Sequence, residues 1–258
     1  MPTPRVLILR APGTNCDEET AFAFDQAGGQ SERMHINRLL ENPRLAGECQ
    51  ILCIPGGFSY GDDIAAGRIL ASQIRNHLRD ALFEFKASEK LILGICNGFQ
   101  VLIKSGILLA EENGQAAATL TWNDSGKFED RWVNLATDNM KCVFLDGVEQ
   151  MYLPIAHAEG KFVTRDQATF NDLFVRGQLT LRYTAANGAV NGNVPYPLNP
   201  NGSMGNVAGV CDETGRVLGL MPHPERHLDP TNHPRWTRGE EGGGGQPIFE
   251  NAVKFFSD

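Results

Sequence analysis

The sequence predicts an α/β fold with a mostly parallel sheet in its first half and an extension of antiparallel strands in its second half. Up to about residue 106, apolar runs alternate with helical patterns, which is typical of strand–helix–strand units with right-handed crossovers. Beyond that point, short apolar runs follow one another and are separated by loops rich in Asn and Gly. No linker and no internal repeat divides the 258 residues, so we expect a single domain over residues 1–258.

The first half contains three apolar segments that predict buried strands. Residues 90–95 form a continuous apolar run, as expected for a parallel strand that is covered on both faces. Apolar residues recur every three to five positions through residues 63–87, which predicts a long helix. In chain order the predicted elements are a strand at 5–10, a helix at 17–27, a strand at 49–54, a helix at 63–87, a strand at 90–95 and a helix ending by Gly106.

The second half predicts strands that follow one another without long helices between them. Apolar runs at 207–210 and 217–220 surround a turn at 212–215, a pattern typical of a hairpin. The four consecutive glycines at 242–245 predict a surface loop before a last amphipathic helix at about 247–256. Three further strands are predicted, at 132–136, 152–156 and 179–184.

Composition and charge exclude several classes of function. The chain has 23 Lys plus Arg and 31 Asp plus Glu, a formal charge of −8, whereas non-specific binding to nucleic acid or to an anionic membrane needs a basic surface. No apolar run approaches the roughly 20 residues that span a bilayer. The first residues show no secretory signal. We therefore expect a soluble, cytoplasmic protein.

The six cysteines are too sparse for a disulfide framework. Cys49 and Cys53 form the one close pair, and a zinc site would need a second pair of ligands. Because both lie in the predicted strand 49–54, where small apolar cysteines are common, we expect no metal site.

The segment from Gly94 to Gln100 predicts a nucleophile at a sharp turn between a strand and a helix. Small residues flank Cys96, as in the nucleophile elbow of α/β-hydrolases, where the turn lifts the reactive side chain out at the carboxyl edge of the sheet. Cys96 would then lie at a helix N-terminus, which favours a thiolate. A buried structural cysteine at a tight turn explains this segment equally well.

A cysteine nucleophile needs a base, and the base needs a group that orients it. His223 and Glu225 are the candidates, since they follow the predicted strand 217–220 and flank Pro224. Pro224 favours an extended His223, and in an extended chain residues two apart point to one side. Glu225 could then fix the tautomer of His223. Taken alone, a surface histidine between prolines is the more common situation, but an upstream cysteine elbow favours catalysis.

A Gly-rich segment at 55–62 follows the predicted strand 49–54. It lacks the Gly-Lys-Ser/Thr of a phosphate-binding loop, but glycine allows the main chain to approach a substrate closely. The N–H groups of Gly57 and Asn97 would form an oxyanion hole with two donors. A Gly-rich strand-to-helix connection without a catalytic role is the alternative.

Together these segments resemble the triad-type (class I) glutamine amidotransferases, and the chain is more closely similar to the glutaminase subunits of phosphoribosylformylglycinamidine (FGAM) synthase, an enzyme of purine (IMP) biosynthesis. The similarity covers almost the whole chain, although residues 107–121 and the Gly-rich tail follow no family pattern. Because Met1 opens directly into the first predicted strand, a free-standing subunit is favoured over a domain of a larger chain. Six segments carry the resemblance: Gly-Gly-Phe-Ser-Tyr-Gly-Asp (56–62), Cys-Asn-Gly-Phe-Gln (96–100), Asn-Asp-Ser-Gly-Lys-Phe-Glu-Asp-Arg (123–131), Ala-His-Ala-Glu-Gly-Lys-Phe (156–162), Asn-Pro-Asn-Gly-Ser (199–203) and Met-Pro-His-Pro-Glu-Arg (221–226).

The resemblance implies a flavodoxin-like three-layer sandwich and a glutaminase that forms a glutamyl thioester on Cys96 with the help of His223 and Glu225. It implies contacts to L-glutamine from Gln100, Gly56, His157, Gly160 and Phe162, for which a purely structural loop is nearly as good an explanation. No cofactor is expected on this chain. ATP and magnesium would belong to a synthetase subunit that receives the ammonia, and a small accessory subunit is a further candidate partner.

Two alternatives stay open: a stand-alone cysteine hydrolase of the same architecture, and a non-catalytic subunit that docks on the synthetase. The intact set of Cys96, His223 and Glu225 argues against the docking subunit. The motifs at 56–62 and 199–203 argue against the stand-alone hydrolase.

Overall fold

A computed structural model describes residues 3–111, 114–138, 141–186, 188, 192, 194–240 and 244–257. The described strands are β1 (Arg5–Arg10), β2 (Gln30–His35), β3 (Ile51–Ile54), β4 (Leu91–Ile95), β5 (Ala118–Thr121), β6 (Glu129–Thr137), β7 (Gln150–His157), β8 (Lys161–Thr164), β9 (Leu181–Thr184), β10 (Val207–Cys211) and β11 (Val217–Leu220). The described α-helices are α1 (Asp17–Gln26), α2 (Ile36–Glu41), α3 (Arg68–Gln73), α4 (Arg79–Ala87), α5 (Asn97–Ser105), α6 (Gln167–Val175) and α7 (Gln246–Lys254).

Nine of these strands form one sheet in the order β2-β1-β3-β4-β11-β10-β9-β6-β7, and β5 pairs with β8 in a small separate sheet. The pairs from β2 to β11 are parallel, whereas the pairs from β11 to β7 are antiparallel. Strand β11 therefore joins the two halves, since it is parallel to β4 and antiparallel to β10. This confirms the predicted α/β class with its antiparallel extension.

Several predicted boundaries differ from the observed ones. The helix predicted at 63–87 begins at Arg68, because Gly67 before it has a left-handed φ of 68°, and it runs through a π-helical segment, Ile74–Leu78, into α4. The strand predicted at 49–54 begins at Ile51, after a 3₁₀ turn. In the predicted glycine loop, residues 242 and 243 lie outside the described residues, and Gly245 directly precedes α7.

The pattern of apolar residues predicts no strand at β2, which the structure places at the edge of the sheet. Most of its side chains are exposed or half-buried. An edge strand of this kind needs no apolar run, which explains why periodicity does not indicate it.

Helix α5 packs against β4 and β11, so the end of β4 and the segment after β11 are held close together. Helices α1 and α7 also contact each other: the ring of Phe24 in α1 meets that of Phe249 in α7 edge to face, with centroids 4.9 Å apart. Among the helices described, none has the length and apolarity that crossing a bilayer would need.

Candidate active site

Cys96 occupies a strained turn between β4 and α5. Its φ of 51° and ψ of −103° are unusual for a residue with a side chain, and such strain typically persists only where the surroundings enforce it. Gly98 allows the turn because a Cβ there would lie 1.8 Å from the carbonyl oxygen of Ile54 in β3. The predicted elbow is therefore present, and the Cys96 side chain emerges at the carboxyl ends of β3 and β4.

His223 reaches the same edge through the pairing of β11 with β4. The two strands are parallel, with Leu220 beside Ile95, so the segment that follows β11 runs past the elbow. The main-chain N–H of His223 donates to Pro154 O at 2.8 Å, which fixes the histidine against β7. The imidazole is buried, and its Nδ1 lies 2.6 Å from Oε1 of the buried Glu225.

The approach of Glu225 to His223 is made by a turn and not by a continuous extended segment. His223 itself is extended, with φ −104° and ψ 91°, as predicted. Pro224, Glu225 and Arg226 then form a 3₁₀ turn, with Pro224 at the first position, where its fixed φ suits a helical turn. The carboxylate thus faces Nδ1 and leaves Nε2 for another partner.

The charges around His223 favour its protonated form. Burial opposes protonation, but the negative charges of Glu225 and Cys96 outweigh it and hold the pKa of His223 well above its ordinary value. Among the described residues, Nε2 of His223 and Oε2 of Glu225 have no hydrogen-bond partner. The arrangement can therefore support an imidazolium beside a thiolate, with Glu225 as the fixed counter-charge.

The segment after β3 contributes two glycines with different surroundings. Gly57 lines a cavity of about 190 Å³ together with Cys96, and no acceptor among the described residues takes its N–H. Gly56 instead lies against the His223 ring: a Cβ there would be 2.7 Å from Cε1 of His223. Gly57 thus lies beside Cys96 at the cavity, while Gly56 makes room for the imidazole.

The predicted glutamine-binding residues divide into two groups. Gln100 and His157 line the cavity beside Cys96, together with the exposed rings of Phe58, Trp122 and Phe128. Gly160 lies against the ring of His157. Phe162 is fully buried, and its N–H donates to Ser203 Oγ at 2.9 Å. These last two residues shape the loop and do not line the cavity.

Asn123 was not among the predicted site residues, yet it holds the loop of His157 in place. Its Oδ1 accepts from Gly160 N–H at 3.1 Å, and its Nδ2 donates to the carbonyls of Lys127 and His157. Because Oδ1 is an acceptor, the His157 Nδ1 that lies 3.1 Å from it must carry the proton. Burial and the neighbouring charge of His223 lower the pKa of His157 to about 3, so its ring is neutral.

Cys16, at the start of α1, is a second residue that the sequence analysis missed. Its Sγ accepts from Arg226 Nη2 at 3.1 Å, while Arg226 Nε donates to Glu19 at 2.8 Å. Burial raises the pKa of the Cys16 thiol. One signal could have pointed to Cys16: it follows the turn at the carboxyl end of β1. Because β1 pairs in parallel with β3, that turn lies beside the segment that carries Gly56 and Gly57.

The same thiol forms the one cluster of metal-ligand type found among the described residues. Donor atoms of Cys16, His223 and Glu225 lie within 4.8 Å of one another. Each residue is already engaged, His223 by Glu225 and Cys16 by Arg226. A guanidinium group against the sulfur also opposes a cation, so the cluster is better explained as a hydrogen-bonded surrounding of the histidine.

The fold and the site together define a glutamine amidotransferase. The chain belongs to the CobB/CobQ-like glutamine amidotransferase domain family, which it matches over residues 3–256. This match includes residues 107–121, the stretch that departs from the expected pattern.

Relatives give a finer comparison. The chain is 47% identical over 254 residues to the phosphoribosylformylglycinamidine synthase subunit PurQ of Dehalococcoides mccartyi, which covers 97% of each chain. It is 41% identical over 268 residues to the subunit of the same name from Methanococcus maripaludis, covering 98% of each chain.

Solved structures agree with these relatives. The structure of PurLQS from Thermotoga maritima matches 99% of this chain and 100% of that chain with a TM-score of 0.74 and 30% identity. A glutamine amidotransferase from Thermotoga maritima, with a TM-score of 0.53 and 16% identity over 93% of this chain and 83% of that chain, shows the fold alone.

Proposed function

We propose that the chain is the glutaminase component of phosphoribosylformylglycinamidine synthase and that Cys96, His223 and Glu225 are its catalytic residues. The observation that carries the proposal is the strained Cys96 elbow facing a buried histidine whose Nδ1 lies 2.6 Å from Glu225. The relatives of highest identity quoted above carry the name of this synthase subunit. The product of the chain would be ammonia, released from L-glutamine for de novo purine biosynthesis.

In the first half-reaction the Cys96 thiolate attacks the side-chain carboxamide carbon of glutamine. A C–S bond forms, and the carbonyl oxygen becomes an oxyanion that the N–H groups of Gly57 and Asn97 stabilise. The Asn97 N–H is free for this role because the first N–H groups of a helix have no partner within the helix. His223 then gives its proton to the leaving nitrogen, the C–N bond breaks, and ammonia departs.

In the second half-reaction water hydrolyses the glutamyl thioester. The neutral His223 takes a proton from the water, whose oxygen bonds to the acyl carbon while the C–S bond breaks. Glutamate leaves, and the thiolate and imidazolium are restored. Throughout, Glu225 keeps the proton on Nδ1, so Nε2 remains the nitrogen that exchanges protons with substrate and water.

Gln100 and the loop from His157 to Phe162 would hold the amino-acid end of glutamine. Gln100 lines the cavity, and its side chain is fixed on both sides: Nε2 donates to Glu159 O at 2.6 Å, and Oε1 accepts from Asn97 Nδ2 at 3.0 Å. Gly160 and Phe162 would contribute through the shape of the loop, and Gly56 through the position of His223.

The ammonia would pass to a synthetase subunit that binds ATP, magnesium and the ribonucleotide. The sequence carries no phosphate-binding motif of its own, so this chemistry needs a partner. A small accessory subunit would complete the complex. Because free hydrolysis would waste glutamine, we expect the lone chain to be nearly inactive, with the loop of residues 56–62 changing the direction of the Gly57 N–H when the synthetase docks.

The test is ammonia release from glutamine by the purified chain, alone and then with the synthetase subunit and its nucleotide ligands. Loss of one oxyanion donor typically lowers turnover by about a hundred- to a thousand-fold, so we expect a stimulation of that order. Full turnover by the lone chain, unchanged by the partner, would support a stand-alone cysteine hydrolase. No turnover in either case would support a non-catalytic docking subunit.

A further inference from the structure

The loop that carries Gly57 has a strained main chain at two of its residues. Tyr60 and Asp62 both have positive φ values, 55° and 53°, although neither is glycine. Such a residue is strained and typically persists only when its surroundings fix it. The contacts that fix this loop therefore bear directly on where the Gly57 N–H points.

Those contacts converge on the side chain of one residue, Asn97, whose own N–H is the other expected oxyanion donor. The hydroxyl of Ser59 donates to Asn97 Oδ1 at 2.5 Å, and the Ser59 N–H approaches the same oxygen at 3.3 Å. On its other side, Asn97 Nδ2 donates to Asp62 Oδ1 at 3.0 Å. Asp62 Oδ1 also accepts from Gly67 N–H at 3.1 Å.

Ser59 and Asn97 are shielded from water, so the hydrogen bonds between them have little competition, whereas Asp62 is half-buried. Ser59 and Asn97 are each 3% exposed, and a buried polar group that loses its partner is penalised by the cost of its desolvation. The two ends of the bent segment, residues 59 and 62, are thus attached to the same amide at the start of α5. Moving the loop away from Cys96 would separate the buried Ser59 hydroxyl from the buried Asn97 Oδ1.

We propose that Ser59 and Asp62 are positioning residues that act through the Asn97 side chain to hold the loop in place, so that the Gly57 N–H, once docking turns it toward the pocket, and the Asn97 N–H lie at the spacing an oxyanion requires. The inference deepens the proposed function and rests on it. Asn97 has two separate tasks: its main chain faces the oxyanion, and its side chain fixes the loop that carries the second donor. The distance between the donors is then set by side-chain hydrogen bonds and not by the glycine-rich main chain alone.

The first experiment is Ser59→Ala in the reconstituted complex with the synthetase subunit. We expect kcat for glutamine hydrolysis to fall about ten- to hundred-fold, somewhat less than the loss of a donor itself, with KM changed less than about threefold, because the contact acts on the transition state. The matched control is Ser105→Ala. Ser105 is a buried serine of α5, the helix that begins at Asn97, and among the described residues its hydroxyl donates to Leu102 O and not to the loop.

A second readout separates positioning from general damage. Alkylation of Cys96 by iodoacetamide proceeds at a saturated carbon and forms no oxyanion, so its rate in Ser59→Ala should stay within about twofold of wild type. A conservative pair completes the test. Asp62→Asn retains an oxygen that accepts from Asn97 and Gly67 and should keep most activity, whereas Asp62→Ala should lose about as much as Ser59→Ala.

The outcomes are distinct. Lower kcat with unchanged alkylation supports the inference. Equal losses of kcat and alkylation, or a kcat equal to that of Ser105→Ala, would overturn it and leave Ser59 a structural residue. Failure of the proposed function would look different, since the wild-type complex would then release no ammonia from glutamine, or would still release it after Cys96→Ser.

Discussion

The two halves of the large sheet contribute to the site in different ways. The parallel half supplies Cys96 and the Gly57 loop from the ends of adjacent strands β3 and β4, through short connections. The antiparallel half supplies His157 from the end of β7, far along the sheet in strand order. His223 comes from the chain after β11, where the two halves meet. The proposed nucleophile is thus placed by local geometry, whereas the proposed base depends on long-range strand pairing.

We expect the largest effect on activity from a change at the proposed nucleophile, Cys96. Cys96→Ser in the assembled complex should abolish glutamine-dependent synthesis and leave ammonia-dependent synthesis intact, because only the source of ammonia is lost. An electrophilic glutamine analogue should label Cys96 alone, as measured by peptide mass spectrometry. Cys49→Ser is a suitable control, since burial raises the pKa of the Cys49 thiol. Labelling at Cys16 or another cysteine would contradict the assignment.

The proposed base, which lies where the two halves meet, should show a graded effect. His223→Ala removes both base and proton donor and should nearly abolish turnover. Glu225→Gln keeps a hydrogen-bonding group near Nδ1 and should cost roughly a hundred-fold, the lower end of the range for positioned acid–base groups.

The same Glu225→Gln variant tests the charge argument. Removing the carboxylate should lower the pKa of His223, because Glu225 is the larger of the two charges that raise it. Titration of the ¹⁵N-labelled imidazole by NMR measures this shift. An unchanged pKa of His223 would contradict the charge argument. A kinetic defect as severe as that of His223→Ala would give Glu225 a role beyond orientation.

A smaller difference between the two halves should appear in the stability of variants at two closely packed glycines, Gly98 and Gly160. A Cβ at Gly98 would meet the main-chain oxygen of Ile54 at 1.8 Å, whereas a Cβ at Gly160 would meet Cε1 of the His157 ring at 2.2 Å. A main chain inside a sheet cannot move aside, but a ring can shift. Gly98→Ala should therefore cost about 3 kcal/mol of stability, at the upper end for overpacking, and remove activity.

Gly160→Ala should instead cost about 1 kcal/mol and raise KM for glutamine. Urea denaturation and steady-state kinetics of the two variants measure the contrast. Equal losses of stability would show that the loop of His157 is as rigid as the elbow.

Much of the parallel half could be predicted from the sequence because its signals are local. The apolar run of β4, the small residues around Cys96 and the order of the motifs predict the elbow and the identity of the base. The side-chain roles of Asn97 and Asn123 could not be predicted in this way. Asn97 bonds to Ser59, 38 positions earlier, and Asn123 to His157, 34 positions later. Cys16 meets Arg226 across 210 positions, a distance no periodicity can bridge.

The last prediction concerns the titration of His157, which lies at the end of β7 in the antiparallel half of the sheet. Burial and the charge of His223 lower the pKa of His157 from 6.5 to about 3. Below pH 6.5 the unfolded chain therefore binds a proton that the folded chain refuses, so this residue's contribution to stability is fully present above pH 6.5 and is lost as the pH falls toward 3. Between pH 8 and pH 5 the expected loss is about 2 kcal/mol.

His157→Asn cannot titrate, while the other ionisable groups are shared with wild type. The difference in unfolding free energy between the two proteins, measured by urea denaturation, should thus shift by about 2 kcal/mol in favour of the variant over that range. A difference that stays constant with pH would mean that the folded protein accepts the proton on His157, and that its ring is not the neutral donor to Asn123 described above.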